Sequence, residues 1–322
     1  MTAPASRAVE LRLPYRAPCD VDGLVQFFGA RAVPGVEVVT HGVYYRSVRL
    51  EQGSGVVALR AGASDVEAQL WLDSARDLGA AVAACRRLLD LDTDPAPIVE
   101  ALGRDDLIGA IVRGTPGRRV PGVVEPDELA IRAVLGQQVS LAGAATLAGR
   151  LVATYGEPLK HPIGAVTHLF PSAAALAAAD PEQLAMPWSR RRALIGLATA
   201  LADGEVVLDT DVMPHHEVER RLLALPGIGP WTVAYVAMRA LCDPDAFMPT
   251  DLGVRHGLER LGHDGRPARA MAVAERWRPF RAYATQHLWA QLAPPARPAS
   301  HAAPPARPAS HAAPPPAVLR PL

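Results

Sequence analysis

Residues Leu225–Asp251, LPGIGPWTVAYVAMRALCDPDAFMPTD, constrain the fold more than any other stretch of the chain. Upstream, HEVERRLLA places Val218, Leu222 and Leu223 at helical spacing. Downstream, a helix opens at Pro230, whose fixed φ and missing N–H suit a first helical position. The residues between, Leu225-Pro226-Gly227-Ile228-Gly229, predict a tight hairpin joining two helices. Gly227 and Gly229 allow the backbone to turn sharply and to approach another molecule closely. The unpaired N–H groups of such a turn, with the next helix dipole behind them, suit an anion. A DNA phosphate can be held this way without any reading of base sequence. Pro249-Thr250-Asp251 then sets one carboxylate at the start of the next helical pattern, DLGVRHGLERLG, where an N-cap also belongs.

The rest of the chain bounds what can surround that hairpin. Its 322 residues suffice for one large or two medium domains. No apolar run is long enough to span a bilayer, and the start MTAPASRAVELRLPY lacks the apolar centre of a signal peptide. An intracellular protein without a membrane partner is expected. Cys19, Cys85 and Cys242 are isolated, so neither a disulfide framework nor a zinc site is indicated, and no cofactor is expected. The formal net charge is zero, so any affinity for DNA must come from local basic faces and backbone donors. Lys160 is the one lysine among many arginines, and this Ala- and Arg-rich usage suits a high-GC bacterial genome.

Residues 9–94 read as a small α+β domain. VELRLPY alternates as a strand, Asp22–Ala32 reads as a helix, and VEVVT, VYYRSVRLE, GVVALRAG and DVEAQLWLD read as further strands before a helix over Gly79–Leu89. Pro95 and Pro97 mark a boundary. Residues 95–292 read as all-α. VVEPDELAIRAVLG and VSLAGAATLAGRLVATYG are helices, ADPEQLAM is a short one, and WSRRRALIGLATALADG has Ser189 as candidate N-cap and Gly204 as stop. PARAMAVAERW and PFRAYATQHLWAQL close the domain. Residues 1–8 form a flexible start. Residues 293–322 repeat APPARPASHA in tandem and cannot bury enough apolar surface to fold, so a disordered tail is expected. His301 and His311 recur with that repeat unit.

LPGIGPWTVAYVAMR followed by FMPTD resembles the helix-hairpin-helix and catalytic aspartate of the HhH-GPD superfamily of DNA glycosylases, and within it the 3-methyladenine DNA glycosylase II (AlkA) branch. The resemblance runs from about Leu11 to Leu292 and is strongest after Pro126. It implies a TBP-like amino-terminal α+β domain followed by a helical glycosylase domain. The implied activity is base excision from double-stranded DNA carrying alkylated purines, by a monomer in the bacterial cytoplasm, at the nucleoid. Branches with a four-cysteine iron–sulfur cluster do not fit these cysteines.

The resemblance also assigns roles. Asp251 would stabilise the oxocarbenium-like sugar and orient or deprotonate water. Lyases of this superfamily carry a lysine nucleophile where this sequence has Trp231, so hydrolysis without strand cleavage is implied. Phe27, Trp231, Tyr235 and Trp289 would form the pocket for the flipped base, with Arg31 and Gln137, unless these aromatics are core residues. An alkylated purine is cationic, so it leaves without a general acid and is attracted to aromatic faces. Gly227, Gly229 and Thr232 would hold phosphate, and the carbonyls of Leu223, Leu225 and Gly227 a monovalent cation. Gln138 stands at the family's leucine wedge position, and Leu252 replaces an aromatic after the aspartate. Arg190-Arg191-Arg192 is a further DNA contact or a solvated face. Asp243 and Asp245 read as solvated loop acids, and Trp188 and Trp277 as packing residues. A non-catalytic DNA-damage binder keeping the hairpin is the alternative.

Overall fold

A computed structural model of the chain describes residues 8–292. The expected flexible start (except Ala8) and the repeat tail with His301 and His311 lie outside the described residues. Strands β1 (Val9–Pro14), β2 (Glu37–Thr40), β3 (Val43–Leu50), β4 (Gly53–Ala61) and β5 (Asp65–Leu72) form one antiparallel sheet in the order β1-β5-β4-β3-β2. Helix α1 (Val21–Gly29) lies between β1 and β2 in sequence, and α2 (Leu78–Leu88) follows β5. Period-two alternation turns Leu13, Tyr44, Leu59 and Leu70 to one face, where they are buried against Leu24 and Phe28 of α1 and Leu88 of α2. Asp20 caps α1 by accepting the Gly23 N–H at 2.9 Å.

Eleven further helices follow among the described residues. They are α3 (Pro95–Gly103), α4 (Gly109–Gly114), α5 (Pro126–Leu135), α6 (Leu141–Tyr155), α7 (Ala173–Ala177), α8 (Trp188–Ala202), α9 (His215–Ala224), α10 (Pro230–Arg239), α11 (Leu252–Arg260), α12 (Pro267–Ala274) and α13 (Arg281–Ala290). Proline at the first position fixes the start of α3, α5, α10 and α12. Two cores result, and α10 is the wall between them. Its Val233 and Val236 pack with α5, α6, α8 and α9, while its Ala237 and Met238 pack with α3, α4 and α11–α13. Both faces of this helix are thereby covered, which fixes the residues it carries toward the site.

The helical part departs from the sequence reading at a β-hairpin, β6 (Glu157–Ile163) and β7 (Val166–Leu169). Leu159, Val166 and Leu169 cover the outer face of the five-stranded sheet at Val56, beside Trp71 and Tyr45. The sheet face needed an apolar cover, and a local reading does not reveal that need. Helix α8 starts after Pro187 with no side-chain cap, so Ser189 is not an N-cap; ADPEQLAM contributes only the 3₁₀ turn Pro181–Gln183. Gly204 does stop α8, at φ +72°.

A buried ionic cluster fastens the sheet to α5. Arg46 bonds Glu128 at 2.7 Å and Glu37 at 3.4 Å, and Arg132 bonds Glu128 at 2.6 Å and Glu37 at 3.1 Å. Burial alone would raise the Glu37 carboxyl, but the guanidiniums of Arg132 and Arg46 outweigh it and hold the carboxyl low. Arg132 also donates to the Arg31 carbonyl at 2.8 Å, which ties this cluster to the loop after α1.

Candidate active site

Asp251 caps α11 and also faces two indoles. Its Oδ1 accepts the Val254 N–H at 2.9 Å, as an N-cap does, and the Trp289 Nε1–H at 2.8 Å. Its Oδ2 accepts the Trp231 Nε1–H at 2.9 Å. The capping role and a chemical role are therefore compatible: the cap uses one lone pair and fixes the carboxylate for the rest. Gly253 makes the approach of Trp289 possible. A Cβ on Gly253 would lie 2.6 Å from Trp289 Cδ1 and 3.0 Å from Asp251 Oδ1.

Trp231 and Trp289 touch this carboxylate, and Tyr235 and Phe27 stack on them. Trp231 and Tyr235 stack at 5.3 Å between centroids, which one turn of α10 brings about. Trp289 lies nearly parallel to Phe27 at 6.2 Å and tilted to Tyr235 at 6.4 Å. All four are half-buried. Arg31 lies over the Phe27 ring at 3.7 Å and reaches within 5.9 Å of Trp289. Burial pulls its guanidinium down to about 10.

Sequence reasoning missed Arg239, which is 6% exposed at the end of α10. It donates to the carbonyls of Pro121 and Gly122 at 2.8 and 2.9 Å and to the Tyr235 hydroxyl at 2.8 Å, and it lies 5.0 Å from the Phe27 centroid. Burial would raise the Tyr235 phenol, but Arg239 and Arg31 outweigh it and hold it below its usual value. Spacing to Tyr235 was the available signal, since the two stand four residues apart on one helix face.

The hairpin forms as the sequence reading expects, between α9 and α10. Gly227 has φ +84°, and a Cβ there would lie 2.7 Å from that of Ala193, so its glycine serves the turn itself. Gly229 has φ −106°, and a Cβ there would meet no atom of the chain within 4 Å. Two assigned side chains turn out to brace the hairpin. Gln137 donates to the Gly227 carbonyl at 3.1 Å and to Thr232 Oγ1 at 2.9 Å, so its amide points to the hairpin rather than into the aromatic slot. Thr232 is 2% exposed, which leaves its hydroxyl no access to a phosphate. The Leu225 carbonyl accepts the Ile228 N–H at 3.1 Å. It and the Gly227 carbonyl each keep a second lone pair.

Gln138 is exposed at the tip of the loop between α5 and α6, with φ +57°. Arg190 donates to the Gln137 carbonyl at 2.6 Å and so fixes this loop from α8. Arg191 is engaged by Met186 O at 2.8 Å and Glu182 at 3.2 Å, while Arg192 is exposed. Exposed Val139, Leu141 and Leu252 add apolar surface around the site. Two assignments need correction. Asp245 is not a solvated acid, because it pairs with Arg278 and with Arg281, the latter at 2.8 Å. Trp188 does not pack in the core: it opens α8 at 53% exposure, with Arg191 over its ring at 5.9 Å. Trp277, at 1%, is the core residue of that pair.

Among the described residues, no helix is long and apolar enough to cross a membrane, and no group of His, Cys, Asp and Glu could hold a metal ion.

Comparison with known proteins matches this geometry. Residues 10–125 match the family model of the AlkA N-terminal domain, and residues 131–282 that of HhH-GPD superfamily base excision DNA repair proteins. A Mycobacterium tuberculosis protein named as a bifunctional transcriptional activator/DNA repair enzyme AlkA is 49% identical over 287 residues, covering 89% of this chain and 58% of its own length. The chain thus spans somewhat over half of that relative. DNA-3-methyladenine glycosylase 2 of Escherichia coli is 36% identical over 284 residues, covering 86% of this chain and 95% of its own. The structure of 3-methyladenine DNA glycosylase from Archaeoglobus fulgidus shares the fold, with TM-score 0.75, 21% identity and coverage of 87% and 97%. With its sheet domain, its glycine hairpin and the aspartate that opens α11, this chain belongs to the HhH-GPD superfamily of base excision DNA repair proteins, in the AlkA arrangement.

Proposed function

We propose that the chain is a monofunctional DNA glycosylase that hydrolyses the N-glycosidic bond of alkylated purines, 3-methyladenine and 7-methylguanine, after flipping the base out of double-stranded DNA. The observation that carries this reading is the Asp251 carboxylate, fixed by three N–H donors at the rim of an aromatic slot. As the bond from C1′ to the base nitrogen breaks, positive charge builds on the sugar, and a carboxylate held in place stabilises it with no reorganisation. Oδ1 spends both lone pairs on Val254 and Trp289, whereas Oδ2 spends one on Trp231 and keeps one. That remaining lone pair accepts a proton of the attacking water, whose oxygen bonds C1′. A cationic alkylpurine takes the bonding electron pair and leaves neutral, so no acid is needed. Trp231 occupies the place of a lyase lysine, which leaves water as the nucleophile.

The hairpin supplies phosphate anchoring through backbone N–H groups, with Gly229 open to a close partner. A monovalent cation at the carbonyls of Leu223, Leu225 and Gly227 would add positive charge beside that phosphate. Exposed Gln138 enters the duplex to fill the space of the flipped base. The decisive experiment incubates the purified chain with methylated duplex DNA and resolves the released bases by chromatography. Release of 3-methyladenine and 7-methylguanine with the strand left uncut is expected. Tight binding to damaged duplex with no base released would instead establish the non-catalytic binder.

A further inference from the structure

The slot that receives a base in the reading above is lined mainly by hydrogen-bond donors. Arg31 makes one hydrogen bond in the described structure, from Nη1 to the Phe27 carbonyl at 3.2 Å. A guanidinium carries five N–H donors, so most of those of Arg31 are unengaged. They retain contact with solvent-accessible space, since none is among the buried side-chain atoms without a partner. Neither Arg31 nor Arg239 enters an ion pair among the described residues, although Arg239 is buried. Because Arg239 donates to the Tyr235 oxygen, the phenol proton is free to point elsewhere as one more donor. The acceptors on this wall are few and mostly engaged: the Phe27 carbonyl accepts from Arg31, and Asp251 accepts three N–H groups and keeps one lone pair on Oδ2 for water. The π face of Phe27 is likewise engaged, with guanidiniums at 3.7 and 5.0 Å.

Such a wall offers a ligand more donors than acceptors, and so suits lone pairs on the base edge. A charged donor facing a ligand carbonyl makes a strong, short bond, and the same donor facing an amino group makes none. We propose that Arg31 is a specificity-determining residue that reads the acceptor edge of the flipped purine, so that bases presenting a carbonyl are held by this guanidinium and bases presenting an amino group are not. Arg132 acts as a positioning residue, because its bond to the Arg31 carbonyl fixes where the guanidinium starts from. The inference rests on the glycosylase reading and deepens it.

The test compares two bases within one protein preparation. Hypoxanthine is neutral and carries a carbonyl at C6, whereas 3-methyladenine is cationic and carries an amino group there. Single-turnover release of each from duplex DNA under saturating enzyme gives a rate ratio in which the fraction of active protein cancels. Arg31→Leu is expected to lower the hypoxanthine to 3-methyladenine ratio by about tenfold or more, the size of a lost charged hydrogen bond. Arg31→Lys keeps the charge and the stem but loses the planar fork, so it should lower the ratio by less, and it serves as the variant of record if Arg31→Leu does not fold. A ratio unchanged in the folded variants overturns the inference while leaving the glycosylase reading intact. A wild-type protein that releases neither base overturns both.

Discussion

Trp289 donates its indole N–H to Asp251 Oδ1 at 2.8 Å across 38 residues of sequence. With Trp231 on the other oxygen, the carboxylate that opens α11 is held from both sides by aromatic side chains that also bound the slot. Stacking surface and electrostatics are therefore coupled in the same two residues.

Asp251→Asn should reduce base excision by on the order of 10²–10³-fold or more, the scale of losing a pre-placed charge. Asparagine caps a helix about as well as aspartate but its NH2 cannot accept the Trp231 N–H, so the melting temperature should fall only by the loss of that bond while the fold is kept. Single-turnover release and a thermal melt check both halves, and binding to abasic-analogue duplex should persist. Near-wild-type release would remove Asp251 from the reaction.

Trp289→Phe keeps an aromatic face but deletes the N–H to Asp251. A hydrogen bond to a charged group contributes about 1.5–3 kcal/mol, so excision should slow by roughly tenfold to a hundredfold. Trp231→Phe should act in the same direction through Oδ2. If Trp289→Phe matches the wild type while Trp289→Ala does not, the residue serves by stacking alone.

The two hairpin glycines should respond differently. Gly227→Ala forces a side chain into a left-handed turn and against Ala193, and it should cost at least about 1–2 kcal/mol of stability. Gly229→Ala meets open space, so its stability should shift by less than about 0.5 kcal/mol while duplex affinity falls. Denaturant melts and fluorescence-anisotropy titrations separate these effects, and unweakened DNA binding by Gly229→Ala would count against close phosphate approach at this residue.

Base release should leave the strand unbroken until an abasic-site nuclease or alkali is added. Trp231 offers no amine for a Schiff base, and Lys160 lies on β6. Borohydride trapping of a covalent protein–DNA adduct would contradict this directly.

Acid should destabilise the fold through His287. The residue is 3% exposed, with Thr115 Oγ1 3.5 Å from Nδ1, and burial with Arg118 nearby pushes its ring down to about 3. The folded state thus holds it neutral, while the unfolded chain takes up a proton near its ordinary value of 6.5. Its contribution is complete above about pH 6.5 and shrinks by about 1.4 kcal/mol per unit as pH falls toward 3. Stability of His287→Gln measured against pH should fall less steeply over that window than the wild type. Parallel curves would show that another group governs the acid limb.

The sequence by itself determined what depends on neighbours along the chain. Strand alternation in Val43–Leu50, proline starts at Pro126 and Pro230, the Gly227 turn and the Asp251 cap all follow from preferences acting within a few residues. Once resemblance named the motif, Asp251 and the aromatics Phe27, Trp231, Tyr235 and Trp289 could be picked out, and the fold brings them together. What the side chains do there was decided by tertiary structure. Gln137 turned to the hairpin because the Gly227 carbonyl and Thr232 hydroxyl lie within reach across 90 and 95 residues of chain. Hairpin β6–β7 formed because the open sheet face offered Val56 a cover. Arg239 had only its four-residue spacing to Tyr235 as a local sign and Gly253 had none, since one acts mainly through carbonyls of the loop after α4 and the other by leaving room for Trp289. Propensity, capping and turn strain decay within one or two turns, whereas the donors and acceptors that decide a carboxylate's role come from whichever segments packing places beside it.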